Sequence, residues 1–262
     1  MSSLSIALVV GVLIAVSGMA GRTLQRLLPA GHTADRSRDM IGGVVGLLTL
    51  LLALVLGLLI WTAYGVFSTQ QTELQTIAAR ALEFDLELRQ YGPEGDAGRE
   101  ILRRDLVWAH EQFWGTQESM ALAYNASFKA MGDMSAYFDR LQPKTAAQTQ
   151  LLGDARHNYS FIGENRLLMS MQAETPVSWP LIYAVTAWSC LMFGGMGLLS
   201  RPNATTASML ALGAASVALA IFLILEFNKP YTSSIRVSPV ALEQAIVQLD
   251  QPSAASPGGA AQ

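Results

Sequence analysis

Four apolar segments, set two and two about a more polar middle, organise this chain. The longest, Met40 to Phe67, reads MIGGVVGLLTLLLALVLGLLIWTAYGVF and contains no charged residue. At about 1.5 Å per helical residue it is long enough to cross a hydrocarbon layer of about 30 Å. Lipid offers no partner to backbone N–H and C=O groups, so such a segment must be helical. Trp61, Tyr64 and Phe67 gather at its C-terminal end, as expected where a helix reaches the membrane surface. Leu4–Ala20 is a shorter apolar run. Pro180–Ser200 and Thr205–Phe227 form a pair joined by a tight loop, Arg201-Pro202-Asn203-Ala204.

The middle of the chain changes period. Leu74, Ile77, Ala81, Phe84, Leu88 and Tyr91 recur at three and four residues, which sets all six on one helix face and Arg80, Glu83, Glu87 and Arg89 on the others. Gly65 and Ser68 alone do not break a helix, so the second span is expected to run on to Tyr91, where Gly92-Pro93 stops it. Three further helices are predicted. One runs from Glu94 to Trp114 with Ile101, Leu102, Leu106, Ala109 and Phe113 on its apolar face, and one from Ser119 to Leu141. The last spans Thr145 to Gln172, carrying Leu152, Ala155, Tyr159, Ile162 and Leu167. No window alternates with period two for long enough to argue a strand. Ser238 reads as an N-cap with Pro239 at the first helical position, opening a short face of Leu242, Ala245, Ile246 and Leu249 that either lies on the membrane or docks on the bundle.

The expected architecture is therefore all-α: an integral membrane protein with four transmembrane helices, two plus two, flanking a central helical-bundle domain. Its parts are the first span and basic loop (1–39), the second span (40–67), the extramembrane helical domain (68–178) and the paired third and fourth spans (179–227). An amphipathic segment (228–250) and a Pro/Gly/Ala/Ser-rich tail (251–262), expected to be disordered, complete it. The composition agrees, at 51% hydrophobic and 14% charged residues against about 25% charged in a typical soluble domain. A net charge of −3 with no basic stripe argues against nucleic acid. The lone cysteine, Cys190, permits neither an intramolecular disulfide nor a thiolate metal cluster.

Orientation is read from basic residues in short loops. Arg22, Arg26, Arg36, Arg38 and Arg201 lie in the two short loops, against Arg80, Arg166, Lys229 and Arg236 spread over the opposite side. Both short loops are thus expected on the cytoplasmic face, with both termini and the central domain outside. The first five residues carry no Lys or Arg, and Arg22 and Arg26 follow the apolar run, so the first span reads as a retained anchor rather than a cleaved signal.

Several stretches carry a family resemblance. LPAGH, DRSRDM and LLALVLGLLIWTAYGVFSTQ (within Leu28–Gln70), LQTIAARALEFDLELRQYGPE (Leu74–Glu94), LQPKTAAQTQLL (Leu141–Leu152), LLSRPNATT (Leu198–Thr206) and LILEFNKPYTSSIRVSPVALEQAIVQL (Leu223–Leu249) resemble the bestrophin-like domain family of bacterial four-helix membrane proteins. The resemblance implies a multi-pass protein of the bacterial cytoplasmic membrane and a homo-oligomer in the lipid bilayer. Through bestrophins, which keep the middle domain cytosolic, it also implies an oligomeric anion channel. Tyr64 stands where many relatives carry a basic residue, so no charge-based role carries over to it.

Candidate chemistry is sparse. His32, His110 and His157 are not spaced with other ligands in a zinc pattern, His110-Glu111 reads as a solvated pair, and Arg103-Arg104-Asp105 as a salt-bridged helix surface. No phosphate loop, nucleophile elbow or HExxH pattern is present, so neither an enzyme nor a cofactor is expected. Gly42/Gly46, Ala211/Ala215 and Ala214/Ala218 are read as helix-packing pairs. Thr49 and Thr62 could line a pore, and Glu226, the one acid in the four spans, is either an ion-path or an interfacial residue. Two function classes follow: an oligomeric ion channel, or a non-transporting scaffold or sensor whose helical domain binds a protein partner that the sequence does not identify.

Overall fold

The structure, a computed structural model, describes residues 2–27, 35–114, 120–173, 178–200, 203–231 and 234–251; within these, side chains are described except for 35–38, 120–128 and 170–173. The side chains of Arg36 and Arg38, residue Arg201 and the tail from Pro252 onward therefore lie outside the described residues. Among those described the chain is helical, without a strand. The helices are α1 (Ser3–Leu27), α2 (Asp35–Tyr91), α3 (Asp96–Trp114), α4 (Met120–Arg140), α5 (Ala146–Ala173), α6 (Trp179–Leu199), α7 (Ala204–Phe227) and α8 (Val240–Leu249). Of these, α1, α2, α6 and α7 are long and apolar enough to cross a membrane.

Local chemistry explains the boundaries. Helix α2 runs unbroken for 57 residues and ends at Gly92, whose φ of 123° is costly for any side-chain-bearing residue. Pro93 follows, and Pro93–Gly95 form a 3-10 turn, so α3 starts at Asp96 rather than at Glu94. Asn203 caps α7, its side chain accepting from the Thr206 N–H at 2.7 Å. Helix α8 departs from expectation: Pro239 occupies the N-cap position, with no side-chain cap bond, and Val240 is the first helical residue.

The chain divides into two units. The first comprises Met1–Phe67, Pro176–Lys229 and Ser233–Ile235; the second comprises Ser68–Thr175, Pro230–Thr232 and Arg236–Gln262. In the first, Val10 and Ile14 of α1, Val45 and Leu52 of α2, Val185 and Phe193 of α6, and Ile221 and Leu225 of α7 share one apolar core. Leu8, Val12, Leu50, Leu54, Leu191 and Leu212 point outward, the inverse of a soluble protein and the arrangement lipid requires.

In the second unit the six-residue stripe of α2 is buried throughout, with Ala81, Phe84 and Leu88 wholly enclosed. Phe84, Phe138 and Tyr159 form an aromatic triangle with ring centroids 6.0–6.3 Å apart. Helix α8 docks on this bundle, burying Leu242, Ala245 and Leu249. Tyr231 donates to the Gln70 side chain at 2.6 Å and packs on Phe113, while Trp114 donates to the Val237 carbonyl at 2.9 Å.

Candidate functional site

Within the membrane unit the tightest packing is between α1 and α6. Gly18 and Gly21 face Gly194 and Gly197, and a Cβ on Gly21 or Gly197 would overlap the Gly194 or Gly18 carbonyl respectively. Backbones approach this closely only where both helices present hydrogen in place of a side chain. Ser17 donates across the same seam to the Cys190 carbonyl at 2.6 Å. Gly11 receives α7, where its Cβ would meet that of Ala218 at 3.0 Å.

Of the pairs expected to pack, Ala214/Ala218 faces α1 at Gly11, whereas Gly42/Gly46 and Ala211/Ala215 stand elsewhere. A Cβ on Gly42 or Gly46 would meet nothing within 4 Å, and the same holds at Gly43, Gly57 and Gly65 of α2. Ala211 and Ala215 are exposed, whereas Ala214 is buried. Spacing of four directed attention to the wrong glycines for contacts within one chain; the pairs that interlock are spaced by three.

Thr49 donates to the Val45 carbonyl at 2.8 Å and lies 3.2 Å from the Met192 sulfur, so it faces α6. Thr62 is exposed and bonds back to Leu59 at 3.0 Å. Glu226 is 4% exposed, and its carboxylate accepts from the Ser234 N–H at 2.6 Å and, more weakly, from Ile235 at 3.4 Å. It holds the chain that turns back after α7. Rings at one end of the unit, Tyr64 and Phe67 on Phe227 and Trp179 on Tyr183, mark one polar boundary. At the other end Arg22 donates to the Asn203 carbonyl at 3.3 Å, which ties the C-terminal part of α1 to the cap of α7.

The helical unit hides charge that the sequence placed on surfaces. Asp85, 3% exposed, receives Arg89 and Arg99, each at 2.6 Å. Arg99 also reaches Asp96 at 3.0 Å and the carbonyls of Leu249 and Gln251, and Arg89 reaches those of Gln248 and Gln251. The pair of guanidinium groups thus caps the C-terminal end of α8, where carbonyls lack helical partners. Burial opposes the charge on Arg99, but the bonds to Asp85 and Asp96 outweigh it and its pKa is raised.

Asp105 is also buried, and is bonded by Arg166 of α5. Burial raises its pKa, with Arg166 opposing. Arg103 pairs with Glu100 at 2.7 Å, so the three residues read as one surface patch have three different fates. Arg104 lines a cavity of about 280 Å³ between α3 and α4, with Ile101, Asp105, Trp108, Lys129, Ala130 and Asp133. His110 does not keep to Glu111: it stacks on Trp114 and meets Glu243 of α8 at 3.2 Å. No group of His, Cys, Asp and Glu among the described residues is arranged to hold a metal ion.

Four long apolar helices, two at each side of a helical unit in sequence, define a multi-span membrane protein with an added helical bundle. Residues 12–242 match the Bestrophin-like domain, and the chain belongs to that family. No curated protein and no solved structure matches it.

Proposed function

We propose that this protein is the subunit of an oligomeric anion channel in the bacterial cytoplasmic membrane, with copies meeting along the span of α2. One observation carries the reading. Only 11% of the α2 span is buried within the chain, against 28–33% for the other three. Its glycines also face open space. Gly42, Gly46 and Gly57 fall within about 60° of one another, roughly 100° around the helix from the packed stripe Val45, Leu52 and Ala63. Glycine weakens a helix relative to alanine by about 1 kcal/mol, and close approach of a second helix is what repays it.

The family supports conduction, and the spans carry no acid besides Glu226, whose carboxylate is engaged by backbone N–H groups. We assign Glu226 to anchoring the chain rather than to the ion path. The arginine-bearing short loops lie on the cytoplasmic face, and both termini and the helical unit lie outside. No catalytic step belongs to this reading.

The test is the mass of the complex in detergent, followed by chloride flux from vesicles containing the protein. A ring of identical subunits is expected, with flux that Gly46→Leu abolishes together with assembly and that Glu226→Gln leaves unchanged in ion preference. A monomer, or a ring that passes no chloride, refutes it. Impermeant thiol labelling of intact cells, with Cys190 replaced, should modify a cysteine at exposed Lys144 and spare one at Ala204; the reverse overturns the orientation.

A further inference from the structure

From Ser68 onward α2 belongs to the helical unit, and there it carries two stripes. One is the buried stripe from Leu74 to Tyr91. The other, Thr72, Gln75, Ala79, Leu82 and Leu86, recurs at the same spacing of three and four residues. All five are exposed, Leu82 by 39% and Leu86 by 56%, and none is charged. The solvated face of a helix is ordinarily its charged face. Helix α3 follows that rule: Asp96, Glu100, Arg104 and Glu111 are exposed, with Ala97 the one uncharged residue among them. On α2 the charge stands beside the second stripe, where Glu83 is paired with Arg80 at 2.7 Å.

A heptad stripe without charge is the pattern of a helix seam, and its occupant can be argued. Lipid does not reach it, because Leu82 lies 15 residues past Phe67, about 22 Å along an unbroken helix. Copies of one membrane protein inserted in one orientation stand parallel, so residues on a shared seam meet their own kind. A charge there would face the same charge and repel it. Leucine, alanine and the neutral amide of Gln75 are each compatible with themselves. A different protein could answer a charge with its opposite, so the absence of charge favours a second copy. Leu82 also lies 36 residues, about ten turns, beyond Gly46, on the side of α2 that carries the open glycines. We propose that Thr72, Gln75, Ala79, Leu82 and Leu86 form a parallel helix seam with the same residues of neighbouring copies. This rests on the reading that copies meet along α2 and carries their contact into the helical unit.

Disulfide cross-linking of the full chain in membranes tests it, with Cys190→Ser as background and copper phenanthroline as oxidant. Leu82→Cys and Leu86→Cys should each link most chains to a second copy. Leu168→Cys, 45% exposed on α5, should link few. Leu82→Glu combined with Leu86→Glu sets like charges face to face, and should weaken assembly about tenfold or more with helical content unchanged. The proposal is overturned if Leu82→Cys and Leu86→Cys link no better than Leu168→Cys, or if the double glutamate variant assembles like the parent. A ring that conducts chloride but gives no link at either position overturns this seam alone. Links at both positions in a complex that passes no chloride refute the channel and support the seam.

Discussion

Adding one methyl group at Gly21 should loosen the membrane unit, and the size of the effect follows from the α1–α6 seam. The new Cβ would overlap the Gly194 carbonyl, a backbone group that cannot rotate away. Reaching ordinary van der Waals separation requires the helices to part by about 1 Å or more. Overpacking of this kind costs about 1–3 kcal/mol. Parting the seam also stretches the 2.6 Å bond from Ser17 to the Cys190 carbonyl, and an interhelical bond in a membrane is worth about 0.6 kcal/mol. Gly21→Ala should therefore destabilise by about 2–4 kcal/mol, and Gly197→Ala, whose Cβ overlaps the Gly18 carbonyl, by a similar amount. Gly65→Ala is the control: it has open space, lies off the face of Gly42, Gly46 and Gly57, and should fall within about 1 kcal/mol of the parent. Thermal unfolding in detergent, followed by circular dichroism, reads all three. If Gly21→Ala and Gly65→Ala shift the midpoint equally, the seam does not govern the packing of this unit and the reasoning fails.

Arg99→Met should cost about 3 kcal/mol, the lower end for breaking a buried ion pair, because Asp85 keeps Arg89. It should also expose α8 to protease, and an unchanged digestion pattern would refute the capping role. Glu87 has its pKa raised, first by burial, against a bond from Asn158 at 2.8 Å, with Asp154 and Glu83 adding to the rise. A carboxyl raised on folding gives stability that is full below its unfolded value near 4.5 and is lost as pH climbs through the folded value. Glu87→Gln should accordingly flatten that slope and raise the midpoint at pH 7; a slope identical to the parent's would show that Glu87 does not titrate in this way.

The helices were legible because their signals are local. Charge-free runs, the three-four stripe of α2 and the Gly92-Pro93 stop each act within a few residues, and tertiary contacts reinforce rather than oppose them. The packing glycines were not, because a pair spaced by four is a pattern of one helix, while Gly18 and Gly21 matter only through the matching Gly194 and Gly197. Nothing near Gly18 in sequence announces its partner. The same holds for Asp85 and Asp105, which sit among charged neighbours and look solvated until Arg99 and Arg166 arrive from other helices. The missed signal was modest: Asp85 lies one residue after Phe84, beside the most buried stripe of the domain, where an acid needs a cation within reach.

Glu226 shows how far depth alone can be trusted. Counting about 1.5 Å per residue from the start of α7 sets it near 30 Å along the helix, at the far boundary of the bilayer, and an acid in a span is by default a candidate for ion handling. Depth says what an acid costs but not what meets that cost. Here the Ser234 N–H, eight residues beyond Glu226, is presented to the carboxylate. Because that donor is backbone, it has no residue type to betray it in the sequence. A carboxylate satisfied by its own chain has less to gain from a passing ion than one aimed into open space, and it opposes anion passage less than an unsatisfied charge would. An acid at the edge of a span is therefore compatible with an anion pathway when the fold supplies its donors, and the Glu226→Gln variant separates the two cases through the difference between ion preference and stability.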